Sequence, residues 1–354
     1  MGVRLVPDTT KGLRTTKAGL RYRLGAPLLG LIMLAGASLP AQALVIDARF
    51  GSSITGSTDA TTIESAITNA ITFYDNTFVN PITVAIDFKI TGSASFLGQS
   101  LSSTGQSSYA NYTSALDANA IQNQNAVELG GYNHLSAGNQ APQIMATTAD
   151  FRALGFNAPG LLTASGAPGV NFDGIITLNA GLLTGFGSGG TYAANPVIQH
   201  EIDEVLGIGG PGSTLNILIN NGKSATSVAD APLINSAATI GPLDLFRYSA
   251  PGTPSYATSG SASSYFSLDG GQTPIEPFNQ NSGGDLGDWG STSAPEVQDA
   301  FQGGRNITLN PNSPEILALQ AIGYDTVPEP ASLALLGSAL AGFAFARRRV
   351  TRRA

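Results

Sequence analysis

The sequence has no cysteine and only two histidines among its 354 residues. The absence of cysteine excludes disulfide bonds and thiolate metal sites, so any metal site must be built from imidazole and oxygen ligands. His134 and His200 are the only imidazoles, and a site with three histidine ligands is therefore excluded. Stability has to come from a hydrophobic core and from any bound ions.

Basic residues are also scarce between residues 44 and 326, where six Lys and Arg face 22 Asp and Glu. This segment has a net charge of −16, whereas the whole chain carries −7. So acidic a surface repels nucleic acid and anionic membranes. We therefore expect no nucleic-acid partner, and the charge is compatible with divalent cations and an extracellular setting.

The N-terminal end has the layout of a targeting segment. Residues 1–43 combine a basic start, an apolar run from Leu24 to Leu39 and the small-residue site Ala41-Gln42-Ala43. This order is typical of a cleaved signal peptide, and an N-terminal transmembrane anchor is the alternative. Residues 44–326 are then expected to form the mature domain.

The C-terminal end, residues 327–354, has a second targeting layout. It contains Pro328-Glu329-Pro330, an apolar stretch from Ala331 to Ala346 and a cluster of five arginines. The stretch is shorter than the roughly 20 residues of a stable helical span. The segment resembles the PEP-CTERM sorting signal of Gram-negative bacteria. The resemblance implies export to the cell surface or beyond, transient anchoring in the inner membrane through a short transmembrane helix, and an exosortase-type sorting protease as partner.

Hydrophobic periodicity predicts the main elements of the mature domain. The predicted helices are Ala60 to Thr77, Tyr109 to Asn123, Asn195 to Gly207 and Pro314 to Gly323, and the clearest strands are Ile82 to Ile90 and Asp173 to Leu178. Asn195 is expected to cap its helix, with Pro196 at the first helical position. The segment after Gly207 is rich in Gly, Ser and Asn. We therefore expect an α+β fold with a mixed sheet packed on a central helix and a loop-rich C-terminal half.

The central helix carries the residues that could perform chemistry. On a helical wheel, Glu201 and Glu204 lie within about 100° of His200, opposite an apolar face. His200 and Glu204, four residues apart, can bind one ion, and Glu201 would lie beside a metal-activated water. The spacing therefore predicts a metal site at which Glu201 is the general base.

The segment from His200 to Gly207 resembles the His-Glu-x-x-His helix of zincin metalloproteases, with Glu204 in place of the second histidine. Together with Leu-Asp-Leu-Phe-Arg-Tyr-Ser at 243–249 and the tail, it resembles a family of PEP-CTERM-sorted bacterial metalloproteases. The resemblance implies a zincin-like fold and a Zn²⁺-dependent peptidase acting on a protein or peptide substrate.

Asp244, downstream of the helix, is the expected third metal ligand. Tyr248 is then expected to approach the metal or an oxyanion. A turn or cap role is the plainer interpretation of Asp244, and His134 is the rival ligand.

A second ion site is suggested by the Gly-rich loop from Asn281 to Asp288, whose spaced oxygen ligands suit Ca²⁺. The alternative is a hydrophilic loop anchored by Trp289. Two further functions remain open beside the peptidase. One is a non-catalytic surface or extracellular-matrix protein with a vestigial or structural metal site, and the other is a calcium-stabilised adhesin or glycan-binding module.

Overall fold

A four-stranded sheet and the helix that carries the predicted site lie at the centre of the protein. The computed structural model describes residues 43–92, 95–135, 143–186, 189–220, 239–291, 294–301 and 305–327, which all belong to one compact unit. The predicted signal peptide and sorting tail lie outside the described residues, apart from one residue of each.

Short helices and strands alternate along the first two thirds of the chain, and short strands dominate afterwards. The helices are α1 (Ser52–Thr55), α2 (Ala60–Thr77), α3 (Tyr109–Asn123), α4 (Ala126–Asn133), α5 (Thr148–Ala153), α6 (Ala194–Leu206), α7 (Leu215–Asn220) and α8 (Pro314–Ala321). The strands are β1 (Val45–Phe50), β2 (Thr83–Thr91), β3 (Gly98–Ser102), β4 (Thr104–Ser108), β5 (Gln143–Thr147), β6 (Leu162–Thr163), β7 (Asn171–Phe172), β8 (Gly174–Asn179), β9 (Thr239–Ile240), β10 (Arg247–Ala250), β11 (Thr253–Pro254), β12 (Tyr265–Phe266) and β13 (Glu276–Pro277).

The central sheet has the strand order β1-β2-β8-β3. β1, β2 and β8 are parallel, whereas β3 pairs antiparallel with β8 and forms the edge. The register of the edge pair runs from Gly98↔Leu178 to Ser102↔Gly174. Every second residue of β2, namely Val84, Ile86 and Phe88, is fully buried, as the alternation in the sequence predicts.

Helix α6 packs against this sheet and against α2. Its apolar face is buried, and Val205 lies so close to Gly174 of β8 that any side chain at Gly174 would collide with it. From α2, the buried Tyr74 hydroxyl donates to the carbonyl of Gln199 at 3.0 Å and to Asp203 at 2.9 Å. The helix is therefore fixed on two sides, which leaves one polar face directed at the strand β3.

The start of α6 differs from the prediction by one residue and by its capping. The helix begins at Ala194, and the residue before it, Ala193, provides no side-chain cap. Asn195 lies inside the first turn instead and donates to the side chain of Gln199 at 3.1 Å. The helix ends as predicted at Gly207, whose φ of 122° an L-residue rarely adopts.

The C-terminal half is loop-rich, as expected. The packing of Trp289 brings one of its loops back to α6. This indole is fully buried and packs on the rings of Phe266 and Phe278 at 5.7 and 5.2 Å. The loop before it, which contains Asp288, is thereby held against the core. The mixed helices, sheets and loops confirm the predicted α+β class.

Candidate metal centre

Three side chains of α6 lie on its polar face, next to the edge strand β3. His200, Glu201 and Glu204 are all largely buried, and 15% of the His200 side chain is accessible. The hydroxyl of Ser100 on β3 donates to Oε2 of Glu204 at 2.5 Å, and the backbone N–H of Gly210 donates to Oε1 at 3.3 Å. The predicted helix face is therefore formed, and hydrogen bonds orient its second carboxylate.

A third carboxylate, that of Asp288, reaches this face from the C-terminal half. Ligand atoms of His200, Glu204 and Asp288 all lie within 4.8 Å of one another. Nε2 of His200 is 3.8 Å from Oε1 of Glu204 and 3.9 Å from Oδ2 of Asp288. One imidazole nitrogen and two carboxylate oxygens thus converge on one point, and this is a donor set that zinc and similar divalent ions accept.

The orientation of the imidazole is set by its other nitrogen. Nδ1 of His200 lies 3.0 Å from the carbonyl oxygen of Val297. Because a carbonyl only accepts hydrogen bonds, Nδ1 carries a proton and Nε2 is directed at the two carboxylates. A backbone carbonyl on the far nitrogen is the usual way in which a ligating histidine is held.

Burial and mutual proximity shift the pKa values of the groups on this face. Burial raises the pKa of Asp288 to about 8, with further contributions from Glu204 and Asp285, against the opposing effect of His200. Burial lowers the pKa of His200, but Asp288, Glu201 and Glu204 outweigh it and raise that pKa to about 10. Several buried carboxyl groups therefore share one cationic partner, and a divalent ion would displace the protons that they retain.

Glu201 lies beside this group without belonging to it. Its carboxylate packs so closely on β3 that a side chain at Gly98 would collide with it. Burial raises the pKa of Glu201 well above its usual range, and the charge of Glu204 raises it further. Glu201 therefore shares a helix face with His200 and Glu204, as the helical wheel predicts, and this face lies next to β3.

Two clefts meet at His200 and Glu201. One, of about 530 Å³, has an apolar side that includes Phe96, Leu182 and Tyr192. The other, of about 540 Å³, is more polar and contains Glu204, Asp285 and Asp288 among its lining residues. The side chains of His200, Glu204 and Asp288 are therefore accessible to a molecule larger than water.

Asp244, the third ligand expected from the sequence, is outside this group. Its oxygens accept hydrogen bonds from Ser213 Oγ at 2.7 Å, Thr214 N at 3.1 Å and Gly241 N at 2.9 Å. The plainer interpretation, a residue that caps a turn, describes this fully buried carboxylate. Asp288, and not Asp244, lies beside His200 and Glu204.

Tyr248 and His134 lie together, and neither belongs to the group formed by His200, Glu204 and Asp288. The Tyr248 hydroxyl donates to the backbone carbonyl of His134 at 3.1 Å. Nδ1 of His134 is 2.7 Å from the carbonyl of Gly130, at the end of α4. Hydrogen bonds to backbone carbonyls therefore account for the positions of both side chains.

The two ends of the loop from Asn281 to Asp288, predicted as a calcium site, make different contacts. The Asn281 side chain accepts from the N–H of Gly283 at 2.9 Å, which stabilises a tight turn. Asp288 joins His200 and Glu204 instead. The position of Asp288 was not predicted, although an acidic, Gly-rich loop directly before the only tryptophan of the chain indicates a loop that is held against the core.

Residues 326–349 match the model of the PEP-CTERM protein-sorting motif. The match confirms the sorting signal predicted from the sequence. Such a motif implies export and cell-surface sorting in a Gram-negative bacterium, with recognition by an exosortase-type protease. It covers the C-terminal tail alone, and no curated protein or solved structure matches the chain. Within the part of the chain that the structure describes, none of the helices combines the length and apolar character that crossing a bilayer requires.

Proposed function

We propose that the protein is an exported metal-dependent peptidase in which His200, Glu204 and Asp288 hold a divalent cation and Glu201 is the general base. The observation that carries this proposal is the convergence of one nitrogen and two oxygen donors within 4.8 Å beside an open cleft. Zn²⁺ is the proposed ion, because it accepts three mixed ligands and keeps a position free. Ca²⁺, which takes six to eight oxygen ligands, fits this donor set less well.

The residues of the chain would divide the chemistry among them. A bound divalent ion supplies a Lewis acid that polarises a peptide carbonyl and lowers the pKa of water. Glu201, beside the ligands, takes a proton from the attacking water and returns it to the leaving amine. Its raised pKa suits a carboxyl group that must both accept and release a proton.

The edge strand β3 supports a peptide as the substrate. Among the residues that the structure describes, β3 pairs within its sheet with β8 alone, and an extended peptide can bind to such an edge through backbone hydrogen bonds. Gly98 and Ser100 of this strand contact Glu201 and Glu204. A peptide along the strand would therefore pass the proposed base, in the manner of a zincin-like cleft.

Hydrolysis of casein by the purified protein, loaded with Zn²⁺, tests the proposal against Glu201→Gln. We expect the variant to keep its affinity for Zn²⁺ and to lose activity by about 10²- to 10⁴-fold, the usual contribution of a general base. Wild-type rates in the variant would refute the role of Glu201. A wild-type protein that binds Zn²⁺ stoichiometrically and hydrolyses no peptide would refute the peptidase.

A non-catalytic surface protein with a structural metal site is the second candidate. It is favoured by the dense hydrogen bonding of the group, because Ser100 and Gly210 hold Glu204 and the Gln298 amide lies between His200 and Asp288. This candidate predicts that Zn²⁺ raises the stability of the protein and that Glu201→Gln changes nothing measurable. Chelation followed by thermal unfolding, together with the casein assay, distinguishes the two candidates.

A further inference from the structure

The side-chain amide of Gln298 occupies the space between two of the proposed ligands. Its Nε2 lies 3.2 Å from Nε2 of His200 and donates to Oδ1 of Asp288 at 3.0 Å. Gln298 is fully buried, and its oxygen Oε1 has no hydrogen-bond partner among the described residues. A buried amide oxygen without a partner is unfavourable, and it needs a physical explanation.

Hydrogen bonds fix the backbone of Gln298 beside this group. Its N–H donates to Oε1 of Glu315 at 2.8 Å, and its carbonyl accepts from the N–H of Trp289 at 2.9 Å. On the other side, any side chain at Gly209 would collide with the amide. The amide is therefore packed against Gly209 on that side, and a rotation about its terminal bond requires no movement of the backbone.

A half-turn about that bond exchanges the amide nitrogen and oxygen. Oε1 would then lie near the present position of Nε2, about 3 Å from His200 and Asp288. Two ligands that each lie about 2.1 Å from one ion are separated by about 3.0–3.4 Å. The separations of the rotated amide oxygen from His200 and from Asp288 are thus compatible with a shared ion, and His200 and Asp288, now 3.9 Å apart, would approach each other by about 0.5 Å on binding it.

We propose that Gln298 is the fourth protein ligand of the metal centre, binding the cation through Oε1. This inference rests on the proposed metal site formed by His200, Glu204 and Asp288. Its donor set is then one imidazole nitrogen and three oxygens, which suits the divalent ions from Mn²⁺ to Zn²⁺. Four protein ligands fill a tetrahedral set, so a Zn²⁺ ion at this site would become five-coordinate when it binds a water or a substrate oxygen.

Titration of the purified protein with Co²⁺ tests this assignment. Gln298→Met keeps the length of the side chain and removes the amide, and Gln298→Asn keeps the amide but withdraws it by one methylene. We expect both variants to bind Co²⁺ about 10- to 100-fold more weakly, as when a supporting group of a metal site is removed. Gln298→Glu keeps an oxygen at the same reach and should bind at least as tightly as the wild type.

Gln199→Met is the matched control, because Gln199 is also buried and immediately precedes His200, but bonds to Asn195 instead. It should leave the affinity for Co²⁺ unchanged. If Gln298→Met and Gln298→Asn bind Co²⁺ as tightly as the wild type or more tightly, Gln298 only occludes the site and the proposal is overturned. If wild type binds no Co²⁺, or binds it equally well after His200→Ala, the metal centre itself is refuted. Should Gln298→Met fail to fold, Gln298→Asn and Gln298→Glu decide the question.

Discussion

Replacing Asp288 and Asp244 separately by Asn should have opposite effects on metal binding and on stability. Asp288 accepts one hydrogen bond from Gln298 and otherwise faces His200, and burial raises its pKa to about 8. Because burial disfavours its charged form, Asp288→Asn should not reduce the stability of the metal-free fold. Removing a group that only supports a metal ligand typically weakens metal binding about 10- to 100-fold. Removing a direct ligand, as in Asp288→Asn, should weaken Zn²⁺ binding by at least as much.

Asp244→Asn should show the reverse. The carboxylate of Asp244 accepts three hydrogen bonds and partly compensates the buried charge of Arg247. An amide keeps the two backbone donors on its oxygen but faces the Ser213 hydroxyl with N–H₂. We estimate a loss of about 2–4 kcal/mol from the free energy of unfolding, with Zn²⁺ affinity retained.

Urea unfolding with and without Zn²⁺ measures both effects at once. An ion present at 100 times its dissociation constant stabilises the native state by about 2.7 kcal/mol. At the same Zn²⁺ concentration this increment should persist in Asp244→Asn and fall to about 0.4–1.4 kcal/mol or less in Asp288→Asn. If Asp288→Asn keeps the increment while Asp244→Asn loses it, Asp288 is not a ligand and Asp244 is, as the sequence first suggested.

Three further changes test the surroundings of the site. Gly98→Ala should push the Glu201 carboxylate from β3 and lower peptidase activity at least tenfold without loss of Zn²⁺ binding, measured by casein hydrolysis and zinc titration. Arg247→Met should cost about 3–5 kcal/mol of stability in urea and weaken Zn²⁺ binding, because the buried guanidinium donates to the Leu286 carbonyl in the Asp288 loop. Burial raises the pKa of Glu128 to about 9, so the native state keeps a proton that the unfolded chain releases above about pH 4.5, and stability falls as pH rises between these values. Glu128→Gln should reduce this decline by up to about 1.4 kcal/mol per pH unit in urea titrations at pH 5 to 9.

Matched controls isolate these effects. Gly92→Ala introduces a methyl group where no atom lies within 4 Å, so both readouts should remain at the wild-type level. Arg152→Met breaks an ion pair with Asp173 of 2.7 Å, away from the ligand group, and should lower stability without changing Zn²⁺ affinity. An equal loss of Zn²⁺ affinity in both arginine variants would mean that general destabilisation explains the result for Arg247.

The helices of the core could be predicted from the sequence, and so could the part of the site that lies on α6. Both depend on short-range periodicity. The bounds of α2 and α3 match the predicted ranges, and His200, Glu201 and Glu204 share the expected face. Asp288 could not be placed in this way, since the contact depends on how a loop about 80 residues further along packs through Trp289. Asp244 was selected for its position after the helix, although spacing carries no information on whether backbone donors already satisfy a carboxylate.

The segment Leu-Asp-Leu-Phe-Arg-Tyr nevertheless acts on the site indirectly, through the loop that it supports. The Arg247 guanidinium donates to the carbonyl of Leu286 at 2.7 Å and lies 4.1 Å above the ring of Phe278. Leu286 is two residues from Asp288, so a displacement of its carbonyl would move the Asp288 carboxylate relative to His200 and Glu204. Burying an arginine is unfavourable unless its charge is compensated and its N–H groups are hydrogen-bonded. Here Asp244 partly compensates the charge of Arg247, and the guanidinium holds the loop through the Leu286 carbonyl. The motif that contains Asp244 therefore supports the loop of Asp288, and its two charged residues are fully buried and do not line the two clefts.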